Sequence, residues 1–186
     1  MTFTVLFVCT GNICRSPVAE RLLRARVGPS IPIWATSAGV AALAGYPMDP
    51  PSATALRELG GDPDGHVGRR LTPGMVTDAD LILTADSSHR SAVLQADPLA
   101  FRKVFTLREF ARLSADLGPA GPAASAAKLR ERVREVAAQR GQAASAEQDA
   151  DDIADPFGAP LRVARASAMQ VAEAVDQTIL ALGLPR

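Results

Sequence analysis

Cys9 and Arg15 stand five residues apart in the run Cys9-Thr10-Gly11-Asn12-Ile13-Cys14-Arg15-Ser16-Pro17. A loop that short can curl around a tetrahedral dianion with its successive amides turned inward as a nest. Gly11 and Asn12 suit it, because both tolerate the positive φ that such a turn requires. Arg15 can hold two anion oxygens in a bidentate fork, which lysine cannot reproduce. Cys9 would lie beneath the anion's centre in a strongly positive field. Such a field lowers a thiol pKa from about 8.5 by several units and leaves a thiolate at neutral pH. The Ser16 hydroxyl is placed to hydrogen-bond that sulfur and to stabilise it when it leaves. The expected chemistry is attack of Cys9 on phosphorus, with Thr10, Gly11, Asn12, Ile13, Cys14 and Ser16 completing the anion cradle. Alternatively, Cys9 is a small buried residue at a strand end and Arg15 a solvated charge.

Sulfur attack on a phosphate monoester expels an alkoxide or phenoxide, which leaves poorly unless it is protonated. One carboxylic acid should therefore donate that proton and later take one from water. The chain has four Asp-Pro pairs, at Asp49, Asp62, Asp97 and Asp155. Asp155 is the expected acid, its following turn fixed by Pro156. The other three read as helix caps or turn residues. Asp151 and Asp152, on the same loop, compete with it. Metal chemistry is not expected: Cys9, Cys14, His66 and His89 lack the spacing of a zinc knuckle. No Gly-Lys-Ser/Thr ending follows the loop, which excludes a nucleotide-binding P-loop, and no cofactor is implied.

These residues need a frame. Phe3–Val8 reads as a buried parallel strand, and Ser16 and Pro17 read as the cap and first turn of a helix carrying Val18, Ala19, Leu22 and Leu23. The loop between them opens on a helix N-terminus, where the helix dipole favours an anion. Further strands are expected at Ile33–Thr36 (entered through Pro29 and Pro32), Asp80–Ala85 and Lys103–Thr106. Helices are expected from Asp49 or Ser52 to Gly60-Gly61, from Ser87 or Ser88 to before Pro98, and from Pro160 to Leu182. In the last, Val163, Met169, Val175, Ile179 and Leu182 are the expected buried positions. The alternation implies an α/β fold: a three-layer, doubly wound sandwich, its central four-stranded parallel sheet covered by helices on both faces. Residues 1–186 read as one domain with a surface insertion around 115–150. That insertion comprises a charged helix from Lys128 to Ala138 and a mobile connection from Gln139 to Ala150.

Lysine plus arginine total 20, as do aspartate plus glutamate, so the net charge is zero. That argues against a nucleic-acid partner. A 47% hydrophobic content fits a globule. No apolar run approaches a membrane span, the N-terminal run is too short for a signal peptide, and two cysteines do not make a disulfide scaffold. A cytoplasmic location is expected.

The stretch Val8–Pro17 resembles the phosphate-binding loop of the low-molecular-weight protein tyrosine phosphatases. Thr36-Ser37-Ala38-Gly39, Asp49-Pro50, His66–Leu71, Asp80–Thr84 and Asp155-Pro156 continue the likeness in order, apart from the stretch ahead of Asp155. The resemblance implies Cys9 as nucleophile, Arg15 as phosphate clamp and Asp155 as general acid. It further implies Asn12 and Ser16 holding loop and thiolate, and His66 supporting the loop from behind. Leu43, Tyr46 and Phe157 would wall the substrate cleft. Phe157 stands where many relatives have tyrosine, which keeps an aromatic wall but no hydroxyl. Cys14 would sit close enough to Cys9 for a reversible disulfide, or would simply pack behind the loop. The implied substrate is a phosphotyrosine protein, such as an autophosphorylated tyrosine kinase, or a small aryl phosphate. Two alternatives stay open: an arsenate reductase of the same fold using a small-molecule thiol, and a phosphate-binding module without turnover. His89 reads as a surface residue.

Overall fold

The computed structural model describes residues 2–27, 33–115, 117–118, 120–121, 125–141 and 150–185. Pro29, Pro32 and most of the connection expected at Gln139–Ala150 lie outside them. Four parallel strands, β1 (Phe3–Cys9), β2 (Ile33–Gly39), β3 (Leu81–Thr84) and β4 (Val104–Thr106), form one sheet in the order β2-β1-β3-β4. Phe7 pairs with Ser37 on one side and Leu83 on the other. The chain leaves β1 toward β2 and then crosses back to β3, so the topological switch lies at the carboxyl end of β1, where a crevice opens.

Alternation along the strands supplies two cores. Phe3, Val5, Phe7, Leu81 and Leu83 face α1 (Arg15–Val27), α2 (Pro50–Glu58), α5 (Leu107–Ala115), α6 (Ala126–Ala138) and α7 (Leu161–Ala181). Leu6, Val8, Ile82 and Val104 face α3 (Pro73–Asp78) and α4 (Ser87–Ala96) through Val76 and Val93. Each such side chain stabilises the fold by about 1.5–3 kcal/mol relative to an exposed one. The expected sandwich is therefore the observed one, and the expected strands all form.

Several local expectations change. Asp49 caps α2 by accepting from the Ser52 N–H, while α4 is capped by Asp86 rather than by a serine. Ser16 is not the cap of α1, because the Cys14 carbonyl already accepts from the Val18 N–H at 3.2 Å and places Ser16 inside the first turn. In α7 the buried stripe runs through Ala164, Ala168, Val171, Val175, Ile179 and Leu182, so Met169 is 55% exposed and Val163 only half-buried. The helix from Ala126 to Ala138 does not lie loosely on the surface. Ala126, Leu129, Val133 and Val136 recur at helical spacing and join the main core, while Arg130 pairs with Asp80 ahead of β3 at 2.7 Å. Helices α3 and α5 were not expected.

Candidate active site

The segment from Cys9 to Cys14 leaves β1 at the switch point and turns directly into α1. Its carbonyls all face outward. Those of Cys9, Thr10, Gly11 and Ile13 accept from the N–H groups of Val40, Ala41, Leu43 and Asp49 at 2.9–3.0 Å. The Asn12 carbonyl accepts from His66 Nε2 at 2.7 Å. Among the described residues, nothing accepts from the N–H groups of Gly11, Asn12, Ile13 or Cys14. Since backbone donors are rarely left without a partner, this polarity marks a cradle for an anion at the head of a helix.

Asn12 makes the turn possible. It holds φ at 56°, the left-handed region that asparagine visits at least cost after glycine. Its side chain is fully buried and satisfied: Oδ1 accepts from the Arg69 N–H, and Nδ2 donates to Ser16 Oγ and Ser37 Oγ, all at 2.9–3.0 Å. Ser16 Oγ also lies 3.0 Å from Cys9 Sγ. Because Nδ2 already donates to that oxygen, the hydroxyl's own proton is left for the sulfur at 3.0 Å or, at 3.5 Å, for the Ala38 carbonyl. Gly39 leaves room for this arrangement, since a Cβ there would fall under 3.0 Å from the Thr10 carbonyl oxygen. The side chains of Asn12 and Ser16 thus back the loop rather than face an anion.

Arg15 is 3% exposed. Nη1 donates to the Ile153 carbonyl at 2.8 Å and to Asp86 at 3.2 Å; Nη2 reaches Asp155 Oδ2 at 2.7 Å and Thr10 Oγ1 at 3.4 Å. Nε is buried without a partner, a costly state for a charged donor unless something binds there. Burial opposes the charge on Asp86, but donors from His89 and Ser88 hold its carboxyl well below the usual range.

A pocket of about 190 Å³ opens over the cradle, lined by Cys9, Thr10, Gly11, Ile13, Cys14, Arg15, Ala41, Leu43, Asp155 and Phe157. Most of the residues singled out in the sequence therefore meet at one place. Tyr46 does not: it is 62% exposed and outside the pocket lining. Asp151 pairs with Arg112, and Asp152 accepts from Ser87, so among these acids only Asp155 faces the pocket. Cys14 is buried beside Ser52, and burial pushes its thiol up to about 12. Both cysteines are free. Burial lowers the pKa of His66 below the usual histidine value, against the pull of the Asn12 carbonyl.

His89 corrects an expectation. It is 2% exposed, not a surface residue: Nε2 lies 2.8 Å from Thr10 Oγ1 and Nδ1 2.9 Å from Asp86. The only local signal was an acid three residues before a histidine at a helix start.

A family model of the low molecular weight phosphotyrosine protein phosphatases matches residues 4–151. The probable low molecular weight protein-tyrosine-phosphatase EpsP of Ralstonia nicotianae is 40% identical over 109 residues, covering 59% of this chain and 73% of that protein. The solved structure of the Erwinia amylovora tyrosine phosphatase AmsI superposes with a TM-score of 0.71 at 26% identity, over 100% of this chain and 95% of that one. The YwlE arginine phosphatase from Geobacillus stearothermophilus gives a TM-score of 0.69 at 29% identity, over 95% and 90%.

Proposed function

This chain belongs to the low molecular weight phosphotyrosine protein phosphatase family, and on that premise we propose that it hydrolyses phosphotyrosine through a cysteinyl-phosphate intermediate. Cys9 is the nucleophile, Arg15 the phosphate clamp and Asp155 the general acid and then base. The observation that carries the reading is the polarity of the loop: carbonyls bonded outward, amides unpartnered, and the buried Arg15 Nε without an acceptor beside Cys9. Donors fixed in this way stabilise phosphate oxygens without reorganising, and each is worth about 10²–10³ in rate in comparable oxyanion sites.

In the first step the sulfur lone pair forms the S–P bond, the P–O bond to the phenol breaks, and the Asp155 proton goes to the departing oxygen. In the second, water attacks phosphorus and gives a proton to Asp155. The S–P bond breaks, and Cys9 leaves as a thiolate stabilised by the Ser16 hydroxyl. Asp155 begins in an ion pair with Arg15, so an entering dianion must displace it. Arg15 and the loop amides supply the positive charge, so the scheme calls for no metal.

Ile13, Ala41, Leu43 and Phe157 give the pocket apolar walls, which favour a phenyl ring. The substrate is accordingly a phosphotyrosine protein, an autophosphorylated tyrosine kinase among the candidates, or a small aryl phosphate. A cytoplasmic location goes with this reading, because reducing surroundings keep a nucleophilic cysteine free. Burying a ring is worth about 1.5–3 kcal/mol, so kcat/KM for a phosphotyrosine peptide should exceed that for its phosphoserine counterpart by at least tenfold. Equal values would contradict the assignment. The structural likeness to an arginine phosphatase makes phosphoarginine the second substrate to assay. Among the described residues, no carboxylate besides Asp155 lines the pocket to receive a guanidinium. Arsenate-dependent thiol consumption by the purified protein tests the reductase alternative.

A further inference from the structure

Asp86, His89, Thr10 and Arg15 form a closed ring. Asp86 Oδ1 lies 2.9 Å from His89 Nδ1, His89 Nε2 lies 2.8 Å from Thr10 Oγ1, and Thr10 Oγ1 lies 3.4 Å from Arg15 Nη2. Arg15 Nη1 returns to Asp86 Oδ2 at 3.2 Å. The direction of these bonds follows from what each group can donate. The Asp86–His89 contact is an ion-pair distance rather than an aligned hydrogen bond, since Nδ1 has no hydrogen-bond partner; a carboxylate 2.9 Å away still favours the tautomer with its hydrogen on Nδ1, and in that tautomer Nε2 accepts from the Thr10 hydroxyl. With its proton committed and one lone pair accepting from Arg15 Nη2, Thr10 Oγ1 has one lone pair left for the pocket it lines.

That orientation suits one participant of the two-step reaction. Phosphate oxygens and a carboxylate are acceptors and gain nothing from another acceptor, whereas a water molecule has two protons to place. Thr10 Oγ1 and Asp155 Oδ2 lie 3.4 and 2.7 Å from the same Nη2, which bounds their separation at 6.1 Å. A water donating to two oxygens, each about 2.8 Å away, bridges roughly 4.5–5.6 Å. We propose that Thr10, its hydroxyl turned by His89 and Asp86, is the second acceptor that holds the attacking water during hydrolysis of the cysteinyl-phosphate. This proposal rests on the reading in the preceding subsection. Asp155 takes one water proton, the other stays on the oxygen that becomes part of phosphate, and the Thr10 bond orients that oxygen toward phosphorus without proton transfer. Thr10 contacts the reacting water, and His89 is a positioning residue acting through it. The first step has no water in that place, because the phenol oxygen occupies it.

Rapid acid-quench with enzyme in excess over radiolabelled phosphotyrosine separates formation of the cysteinyl-phosphate from its decay. Thr10→Val, close in shape and lacking the hydroxyl, should slow decay at least about tenfold more than it slows formation, so that the intermediate accumulates. Thr10→Ser should restore decay, and His89→Gln should mimic Thr10→Val more weakly. Equal slowing of both steps in Thr10→Val would assign Thr10 a merely structural role on Arg15 and overturn the proposal, as would decay at the wild-type rate. If no phosphoenzyme forms in either wild type or Thr10→Val, the two-step reading itself fails and this proposal with it.

Discussion

Replacing Gly39 by alanine should damage the anion cradle without replacing any residue that holds the anion. A Cβ at position 39 would come under 3.0 Å from the Thr10 carbonyl oxygen, at 3.0 Å from the Asn12 nitrogen and 3.1 Å from Ala42 Cα. All three neighbours are backbone atoms, so no side chain can swing aside. A carbon–oxygen contact needs about 3.3 Å or more, which moves the Thr10 peptide by roughly 0.5–1 Å. That carbonyl is already bonded to the Ala41 N–H, so the strain passes into the loop. Misplacing reacting groups by about 1 Å costs on the order of 10²-fold in rate, equivalent to about 2.7 kcal/mol of transition-state stabilisation. Overpacking should add about 1–3 kcal/mol of lost folding stability. The assay is p-nitrophenyl phosphate turnover beside urea denaturation, with inhibition by inorganic phosphate as a direct measure of cradle affinity. Gly39→Ala should lose about 10² in kcat/KM, and phosphate should bind correspondingly more weakly. Activity within threefold of wild type, with unchanged phosphate inhibition, would refute the argument that this glycine sets the loop.

Other expectations follow from the same geometry. Asp155→Ala should slow p-nitrophenyl phosphate hydrolysis by about 10²–10⁴; an unchanged rate would move the acid role to another group. Burial lowers the folded-state pKa of His66, so the unfolded chain binds the extra proton more readily and stability must fall as pH drops below the usual histidine value near 6.5. Denaturation of wild type and His66→Gln at pH 7 and 5 checks this: wild type should lose stability over that interval that the variant does not. The window is distinct from that of Asp86, whose depressed pKa makes its contribution fade only below about pH 4. Cys14, 3% exposed and with its thiol pushed up to about 12, should resist iodoacetamide in the folded protein at pH 8, while Cys9 is modified. Peptide mapping of the alkylated protein decides, and labelling of Cys14 at a comparable rate would contradict its burial.

The parts legible in the sequence are those written in local chemistry. The strand Phe3–Cys9, the loop residues and the caps at Asp49 and Asp97 depend on neighbours a few residues away. His89 was illegible because its burial comes from the turn between β3 and α4, which sets Asp86 and His89 against a loop that begins far earlier in the chain. Ser16 misled for a related reason: serine before proline is good cap chemistry, yet here the Cys14 carbonyl starts the helix and the hydroxyl serves the sulfur instead. Helix α6 was legible as a helix from Lys128 to Ala138, but its burial was not: Leu129, Val133 and Val136 at helical spacing were outweighed by its many charges. Helix α5 carried Leu107, Phe110 and Leu113 in the same manner. In α7, alanines rather than Met169 face the core, because close helix packing selects small residues there. Tyr46 sits near the pocket in sequence terms, but its loop, bonded to Gly68, turns it to solvent.

The central claim is that the phosphoryl group passes through the Cys9 sulfur held by this loop. Acid-quenching the protein during turnover of phosphotyrosine and mapping its peptides by mass spectrometry tests that claim directly. A phosphate should be found on the peptide bearing Cys9, and Cys9→Ser should show neither that adduct on sulfur nor turnover. A phosphoryl group on another residue, or continued turnover by Cys9→Ser, would contradict it.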